Sequence, residues 1–268
     1  MIAHQNVVEV RMGGSTLSLD GCNALVTGAS SGLGTFLAEA LDAAGACVAV
    51  HYHGNKSGAE ELAKRLSNPS VVIQANLGDL DDVRRLFSKA VEALGPLDVL
   101  VNCAAAESQN VSDLPDISGD LWSNTMTTNV DAPMVLTQLF AAQKELVKKE
   151  SGSIINISSI EGSRPAPGHS HYSTSKAALE MLTKASALEF GPIGVRVNAI
   201  APGLINRDGI EEGWPEGVAA WKEAAPLGRL VDPNDIASTC VFLASSWSSS
   251  ISGTVLTVDC GLSIKPGW

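Results

Sequence analysis

Tyr172 and Lys176 stand four residues apart in the stretch His-Tyr-Ser-Thr-Ser-Lys, so on a helix they share one face, about one turn from each other. An ammonium beside a phenol stabilises the phenolate and lowers its pKa from about 10 toward neutrality. That makes Tyr172 a candidate general acid/base. Just upstream, Ser158 and Ser159 close the apolar run Ser-Ile-Ile-Asn-Ile-Ser-Ser, and a strand there delivers them to the sheet edge where ligands bind. A Tyr-x-x-x-Lys pair alone is commonplace. Its weight here comes from following a serine-tipped strand, downstream of a glycine-rich turn.

That turn reads Thr27-Gly28-Ala29-Ser30-Ser31-Gly32-Leu33-Gly34. Gly28 permits a tight turn, Gly32 lets the backbone approach a pyrophosphate, and Gly34 lets the following helix pack close to the sheet. The helix N-terminus supplies N–H donors and the positive end of a dipole. At the end of the next apolar run the chain reads Val50-His51-Tyr52-His53-Gly54-Asn55-Lys56-Ser57, with no carboxylate before Glu60. A site selective for NAD places an acid there to take the ribose 2′-hydroxyl. A 2′-phosphate would instead meet His51, His53, Asn55, Lys56 and Ser57. The expected cofactor is therefore NADP(H) in preference to NAD(H), with a solvated loop and a water-facing Lys56 as the plainer alternative.

The elements that must position these residues are legible as an alternation. Strands are expected at 23–27, 46–51, 71–75, 97–102, 153–158, 195–200 and 254–258. Several are nearly continuous apolar runs, as in strands covered on both faces. Helices are expected at 33–44, 57–67, 80–94, 119–149 with a break near Pro133, 172–190 and 233–244. This order predicts an α/β, single-domain, Rossmann-like, doubly wound parallel sheet of seven strands with helices on both faces. Residues 1–19 read as an N-terminal extension to a domain covering 20–268. Residues 204–226, with Gly209, Gly213, Pro215, Gly217 and two tryptophans, break the rhythm as a long loop, expected to be a substrate lid.

Composition excludes other classes. Hydrophobic residues are 45% and charged ones 18%, which is ordinary for a globular chain. The net charge of -11, with no basic run, argues against nucleic acid. No apolar run reaches the roughly 18 residues that span a bilayer, and no signal-peptide pattern opens the chain. The five cysteines are scattered singly, as expected of reduced thiols in the cytoplasm. His51, His53, His169 and His171 lack ligand-spaced carboxylates or thiolates, so no metal site is expected.

Taken together, TGASSGLG at 27–34, Asn129-Val130, INISS at 155–159, YSTSK at 172–176, RVNAIAPG at 196–203, PLGRL at 226–230 and TVLTVDCG at 254–261 resemble the short-chain dehydrogenase/reductase superfamily. The resemblance spans residues 20 to 263 and is similar to both 3-oxoacyl-carrier reductases and sugar dehydrogenases. It implies that Tyr172 is the acid/base, that Lys176 holds the nicotinamide ribose, that Ser159 polarises a substrate carbonyl, and that Asn129 positions a water. It implies that Gly28, Ser31, Gly32 and Leu33 bind the phosphates, that Asn76, Leu77, Asn102 and Ala104 line the nucleotide side, and that Pro202, Gly203 and Ile205 meet the nicotinamide. It also implies a homotetramer or homodimer acting on a small-molecule carbonyl or alcohol.

Departures from the family pattern are informative. Its Asn-Asn-Ala-Gly is Asn102-Cys103-Ala104-Ala105 here, Asn76 replaces an aspartate, Cys260 replaces a glycine, and Arg207 stands where relatives carry threonine. Arg207 either pairs with Asp208 or Glu211, or recognises an anionic group on the substrate or the cofactor. Glu161, Trp214 and Trp221 are further candidates for the substrate pocket, the tryptophans equally for lid anchors. His169 and His171, both just before the tyrosine, are weaker acid/base candidates. A nucleotide-sensing protein without turnover is the competing reading, although none of Asn129, Ser159, Tyr172 or Lys176 is missing. A hydrolase would need a G-x-S-x-G elbow around Ser159, which the chain lacks.

Overall fold

Runs of Val, Leu, Ile and Ala that are apolar at every position, rather than at alternate ones, need cover on both faces. Ala24, Leu25 and Val26 are fully buried, as are Val48, Ala49 and Val50. The computed structural model describes residues 17–106, 111–147 and 151–264. It forms these runs into β1 (Asn23–Val26), β2 (Cys47–Tyr52), β3 (Ser70–Gln74), β4 (Val99–Asn102), β5 (Gly152–Ile157), β6 (Val195–Pro202) and β7 (Val255–Val258). The sheet order is β3-β2-β1-β4-β5-β6-β7, and every neighbouring pair is parallel. All seven expected strands are present, each end within two residues of its expected position.

The helices are α1 (Gly32–Ala43), α2 (Lys56–Arg65), α3 (Leu80–Leu94), α4 (Gly119–Met126), α5 (Ala132–Val147), α6 (Ser170–Phe190), α7 (Ile210–Gly213), α8 (Pro215–Ala224) and α9 (Pro233–Ala244). Successive strand residues point to opposite faces. Val26, Val48 and Val50 therefore pack with Leu37, Leu41, Leu62 and Ile236 of α1, α2 and α9. Leu25, Ala49 and Leu100 pack on the other side with Leu86, Phe87, Leu136 and Phe140 of α3 and α5. In α3 the buried set Val83, Leu86, Phe87 and Ala90 has helical spacing, and Asp79 caps its first turn through Asp81 N–H and Asp82 N–H.

Two expectations need correction and a third is met in altered form. The 119–149 helix is interrupted near Pro133, as expected, but by a change of winding that leaves it continuous. Winding changes earlier, at Thr127–Asp131, where a π-helical turn carries Asn129. Pro133 has no N–H to give the carbonyl four residues back, which belongs to Asn129. Ala132 N–H reaches the Thr127 carbonyl, five residues back, and residues 148–150 lie outside the described residues. Residues 204–226, expected as a lid, are not a structureless loop: α7 and α8 enclose their own cluster of Ile210, Val218 and Leu230. The segment's ends are tied by hydrogen bonds from Asn206 N–H to the Val231 carbonyl and from Val231 N–H to the Leu204 carbonyl. Of the expected extension, 1–16 lie outside the described residues, whereas Leu19 is 2% exposed and joins the core.

Candidate active site

The strand order reverses between β1 and β4, and at such a switch point the loops leaving the two strands part to open a crevice. A cavity of about 700 Å³ lies there, with Gly28 after β1, Cys103 after β4, Ser158 after β5 and Pro202 ending β6 in its walls. Both key glycines of the turn need their residue type. Gly28 has φ +68°, and a Cβ there would come within 2.9 Å of Ala104 Cα. Gly32 has φ +54°, and a Cβ there would meet nothing within 4 Å, so the space beside it is open. Gly34 sits with its Cα against the Gly28 carbonyl, which brings the start of α1 onto the turn. Ser30, Ser31 and Leu33 line the cavity beside them.

The β2 end divides in two. His53 and Asn55 are exposed at the cavity wall, and Asn55 is tied by its amide nitrogen to the Ser30 carbonyl at 2.8 Å while capping α2. Lys56 is not in the wall: it is exposed and pairs with Glu60 at 3.6 Å. His51 lines the cavity but is 1% exposed. Among the described residues its ring hydrogen-bonds backbone alone, through Gly28 N–H at 2.9 Å and the Ala75 carbonyl at 3.2 Å. Beyond it Asn76 and Leu77 form the next part of the wall; Asn76 Oδ1 accepts from Gly78 N–H at 3.0 Å. Asn102 is buried behind the wall, donating to Asn156 Oδ1 at 2.8 Å. Ala104 is in the wall, its N–H on Thr27 Oγ1 at 3.1 Å.

Ser159, Tyr172 and Lys176 share the opposite wall. Ser159 accepts from Glu161 N–H at 3.1 Å. Lys176 Nζ donates to the Ile157 carbonyl at 2.8 Å and lies 5.4 Å from the centre of the Tyr172 ring. Helical spacing thus delivers the pair, but the electrostatics differ from expectation. Burial first, then the Glu161 carboxylate, pushes the Tyr172 phenol up to about 12, while hydrogen bonding by Ser159 acts the other way. Burial also pulls the Lys176 ammonium down to about 8, opposed by Cys103 and Glu180. Desolvation of both groups outweighs the attraction that four-residue spacing suggests. The Cys103 thiol, also in the wall, is pushed up to about 12 by burial, with Lys176 opposing.

Asn129 is 1% exposed and lies outside the wall. Its Oδ1 accepts from Ala106 N–H at 2.7 Å and its Nδ2 donates to Ser175 Oγ at 2.9 Å. Ser175 Oγ in turn donates to the Tyr172 carbonyl at 2.7 Å. The side chain ties the loop after β4 to α6, where the sequence suggested a water site. Glu161 also stands behind the wall, accepting from Ser173 Oγ at 3.0 Å and paired with His169 Nδ1 at 3.1 Å. Both ring nitrogens of His171 are buried without a hydrogen-bond partner among the described residues.

On the lid side, Pro202, Gly203, Ile205 and Arg207 line the cavity. Arg207 makes no ion pair among the described residues; Glu211, one suggested partner, is held by Lys222. Trp214 is 56% exposed and outside the wall, its ring lying over Gly217. Trp221 is packed on Gly203 and donates from Nε1 to the Arg229 carbonyl at 3.1 Å. Sequence reasoning missed Asn124 and Thr128, which line the cavity one helical turn apart. Their signal was faint: they only precede Asn129 in a stretch with no motif of its own.

Residues 28–263 match the family described as enoyl-(acyl carrier protein) reductase. The chain is 35% identical over 260 residues to 3beta-hydroxysteroid dehydrogenase 1 of Eggerthella lenta, covering 93% of this chain and 97% of the relative. It is 36% identical over 243 residues to the 3-oxoacyl-[acyl-carrier-protein] reductase FabG of Staphylococcus aureus, covering 90% and 97%. A solved structure from Beutenbergia cavernae, provisionally described as an NAD(P)-dependent gluconate 5-dehydrogenase and holding NADP at low occupancy, superposes with a TM-score of 0.84. That protein is 32% identical, with 93% of this chain and 99% of the other covered. With the parallel seven-stranded sheet, the glycine-rich turn and the Tyr172–Lys176 wall already in place, these matches establish that the chain belongs to the short-chain dehydrogenase/reductase superfamily.

Proposed function

We propose that this protein transfers a hydride between NADP(H) and the carbonyl or secondary-alcohol carbon of a small molecule, with Tyr172 as acid/base. One observation carries the reading: Ser159, Tyr172 and Lys176 share a single cavity with the glycine-rich turn. The cavity fits an anionic dinucleotide. Among the described residues no Asp or Glu lines it, although the chain carries 29 of them, and the space beside Gly32 is open. Gly28, Ser31, Gly32 and Leu33 would hold the phosphates, Asn76, Leu77 and Ala104 the adenosine side, and Tyr172, Lys176, Pro202, Gly203 and Ile205 the nicotinamide side. His53 and Asn55, exposed at the wall without a carboxylate beside them, support NADP(H) over NAD(H).

Bound there, the dinucleotide supplies or accepts the hydride. Tyr172, held protonated across the neutral range by burial and Glu161, gives its phenolic proton to a carbonyl oxygen during reduction; in the oxidation direction its phenolate form takes the proton from the alcohol. Ser159 hydrogen-bonds the same substrate oxygen. Lys176 orients the wall through the Ile157 carbonyl. Asn129 fixes the loop after β4 against α6. Arg207, at the cavity wall without an ion pair among the described residues, favours substrates that carry an anionic group.

The exposed apolar Met181 and Leu188 of α6 and Leu256 of β7 support assembly as a homotetramer or homodimer. No helix of the described residues is long and apolar enough to cross a membrane, and all five cysteines are free thiols, which supports a reducing, cytoplasmic setting. Fluorescence titration with NADPH and NADH tests the cofactor, and NADPH consumption against a panel of neutral and acidic ketones tests the reaction. Tighter NADPH binding with turnover is expected. Binding without turnover on any ketone or alcohol would favour the sensing protein, and tighter NADH would overturn the cofactor preference.

A further inference from the structure

His51 stands in a segment that, read as sequence, faces a ligand, yet its side chain is 1% exposed. Its Nδ1 accepts a hydrogen bond from Gly28 N–H at 2.9 Å. That assigns the tautomer: Nε2 carries the proton and donates it to the Ala75 carbonyl at 3.2 Å. The backbone carbonyl of His51 accepts from Ala29 N–H at 2.9 Å. One residue therefore grips two consecutive amides of the glycine-rich turn. It also ties that turn to the end of β3, directly before Asn76 and Leu77 of the cavity wall.

An imidazole engaged in this way has no donor left for a phosphate, and an imidazolium could not accept from Gly28 at all. Burial pulls His51 down to about 4, with Ala75 opposing, His53 acting with burial and Asp82 against it. The ring is neutral wherever the protein works near neutral pH. With Gly28 and Ala29 held from behind, the amides that follow, at the start of α1, are the ones left to meet an anion.

We infer that His51 is a positioning residue, presetting the phosphate-binding turn through Gly28 and contributing nothing to the choice between NADPH and NADH. The inference rests on the dinucleotide reading of the cavity. His51→Asn and His51→Gln separate the two ring contacts. An Asn Oδ1 falls near the place of Nδ1 and can accept from Gly28. A Gln amide reaches toward the place of Nε2, serving Ala75 but leaving Gly28 N–H without its acceptor.

Nucleotide fluorescence titrations of the full chain, with NADPH and with NADH, read the difference. H51Q should raise Kd for both nucleotides alike by about tenfold, roughly 1.4 kcal/mol and the scale of one hydrogen bond. H51N should stay within about threefold of wild type. A loss confined to NADPH would mean that the side chain reads the 2′-phosphate, and equal behaviour of H51N and H51Q would mean that the Gly28 contact is idle; either result overturns the inference. Should H51Q fail to fold, ring-nitrogen NMR of the wild type still decides. Nδ1 should be unprotonated and Nε2 protonated between about pH 5 and 8, and a protonated Nδ1 overturns the assignment. A wild type that binds neither nucleotide removes the dinucleotide reading and this inference with it. A wild type that binds, matched by H51Q, removes the inference alone.

Discussion

Lys176→Met should make the folded chain more stable near neutral pH while removing a group from the proposed catalytic wall. The side chain is 2% exposed, and its ammonium donates to the Ile157 carbonyl at 2.8 Å. Burial lowers its pKa from 10.5 to about 8. At 1.36 kcal/mol per pH unit, carrying the charge into the fold costs about 3 kcal/mol. Losing the bond to Ile157 gives back about 1 to 1.5 kcal/mol, so K176M should gain about 1 to 2 kcal/mol at pH 7. The sign of the pH dependence follows from the same shift. Between about 8 and 10.5 the unfolded lysine holds its proton and the folded one has released it. Wild-type stability therefore rises with pH across that window, the full cost being present below it. K176M lacks this dependence, so its advantage should shrink above pH 7 and be reversed by pH 10. Urea unfolding of both proteins at pH 7, 8.5 and 10 gives the comparison. A variant less stable than wild type at pH 7, by a margin that does not change with pH, would refute the reasoning. The expected pattern is that of an active site retaining a costly group for function.

The sheet was legible in the sequence because its strands are covered on both faces: Ala24–Val26 and Val48–Val50 have no polar position to confuse their reading. The turn was legible because Gly28 and Gly32 hold backbone conformations that other residues resist. The harder features depend on what surrounds a residue. His51 has a ligand-like side chain, but its burial against Gly28 and Ala75 makes it scaffold. Lys56 has the charge to meet a phosphate, yet its place at the start of α2 sets it beside Glu60. Helical spacing gave the proximity of Tyr172 and Lys176, but spacing carries no measure of desolvation, and desolvation dominates both groups. Pro133 signalled an interruption without showing that it would appear as a π turn around Asn129.

Tyr172→Phe should cut turnover at least about 100-fold and leave NADPH affinity within about threefold, measured by steady-state rates and fluorescence titration; unimpaired turnover would end the acid/base assignment. Arg207→Ala should raise KM about tenfold for acidic ketones with little change for neutral ones, and equal effects on both would show that Arg207 does not read substrate charge. Lys144→Met should cost up to about 3 kcal/mol in urea unfolding, because Asp98, 3.0 Å from Nζ with its side chain 8% exposed, would lose the ammonium while keeping the Asn23 N–H at 3.1 Å. A loss under about 1 kcal/mol would show that the carboxylate is compensated elsewhere. Glu161→Gln bears on the tyrosine itself. The carboxylate stands behind the cavity wall between Ser173 and His169, and its charge helps push the phenol up to about 12. An amide can still accept from Ser173 but does not repel a phenolate, so the phenol should ionise at lower pH. Alcohol oxidation, which needs the phenolate, should then rise roughly threefold at pH 8 with its pH profile displaced toward acid. Ketone reduction, which needs the protonated phenol, should begin to fall at a lower pH than in wild type. A change confined to stability or KM, with both pH profiles in place, would mean that Glu161 shapes the loop after β5 without tuning the acid/base group.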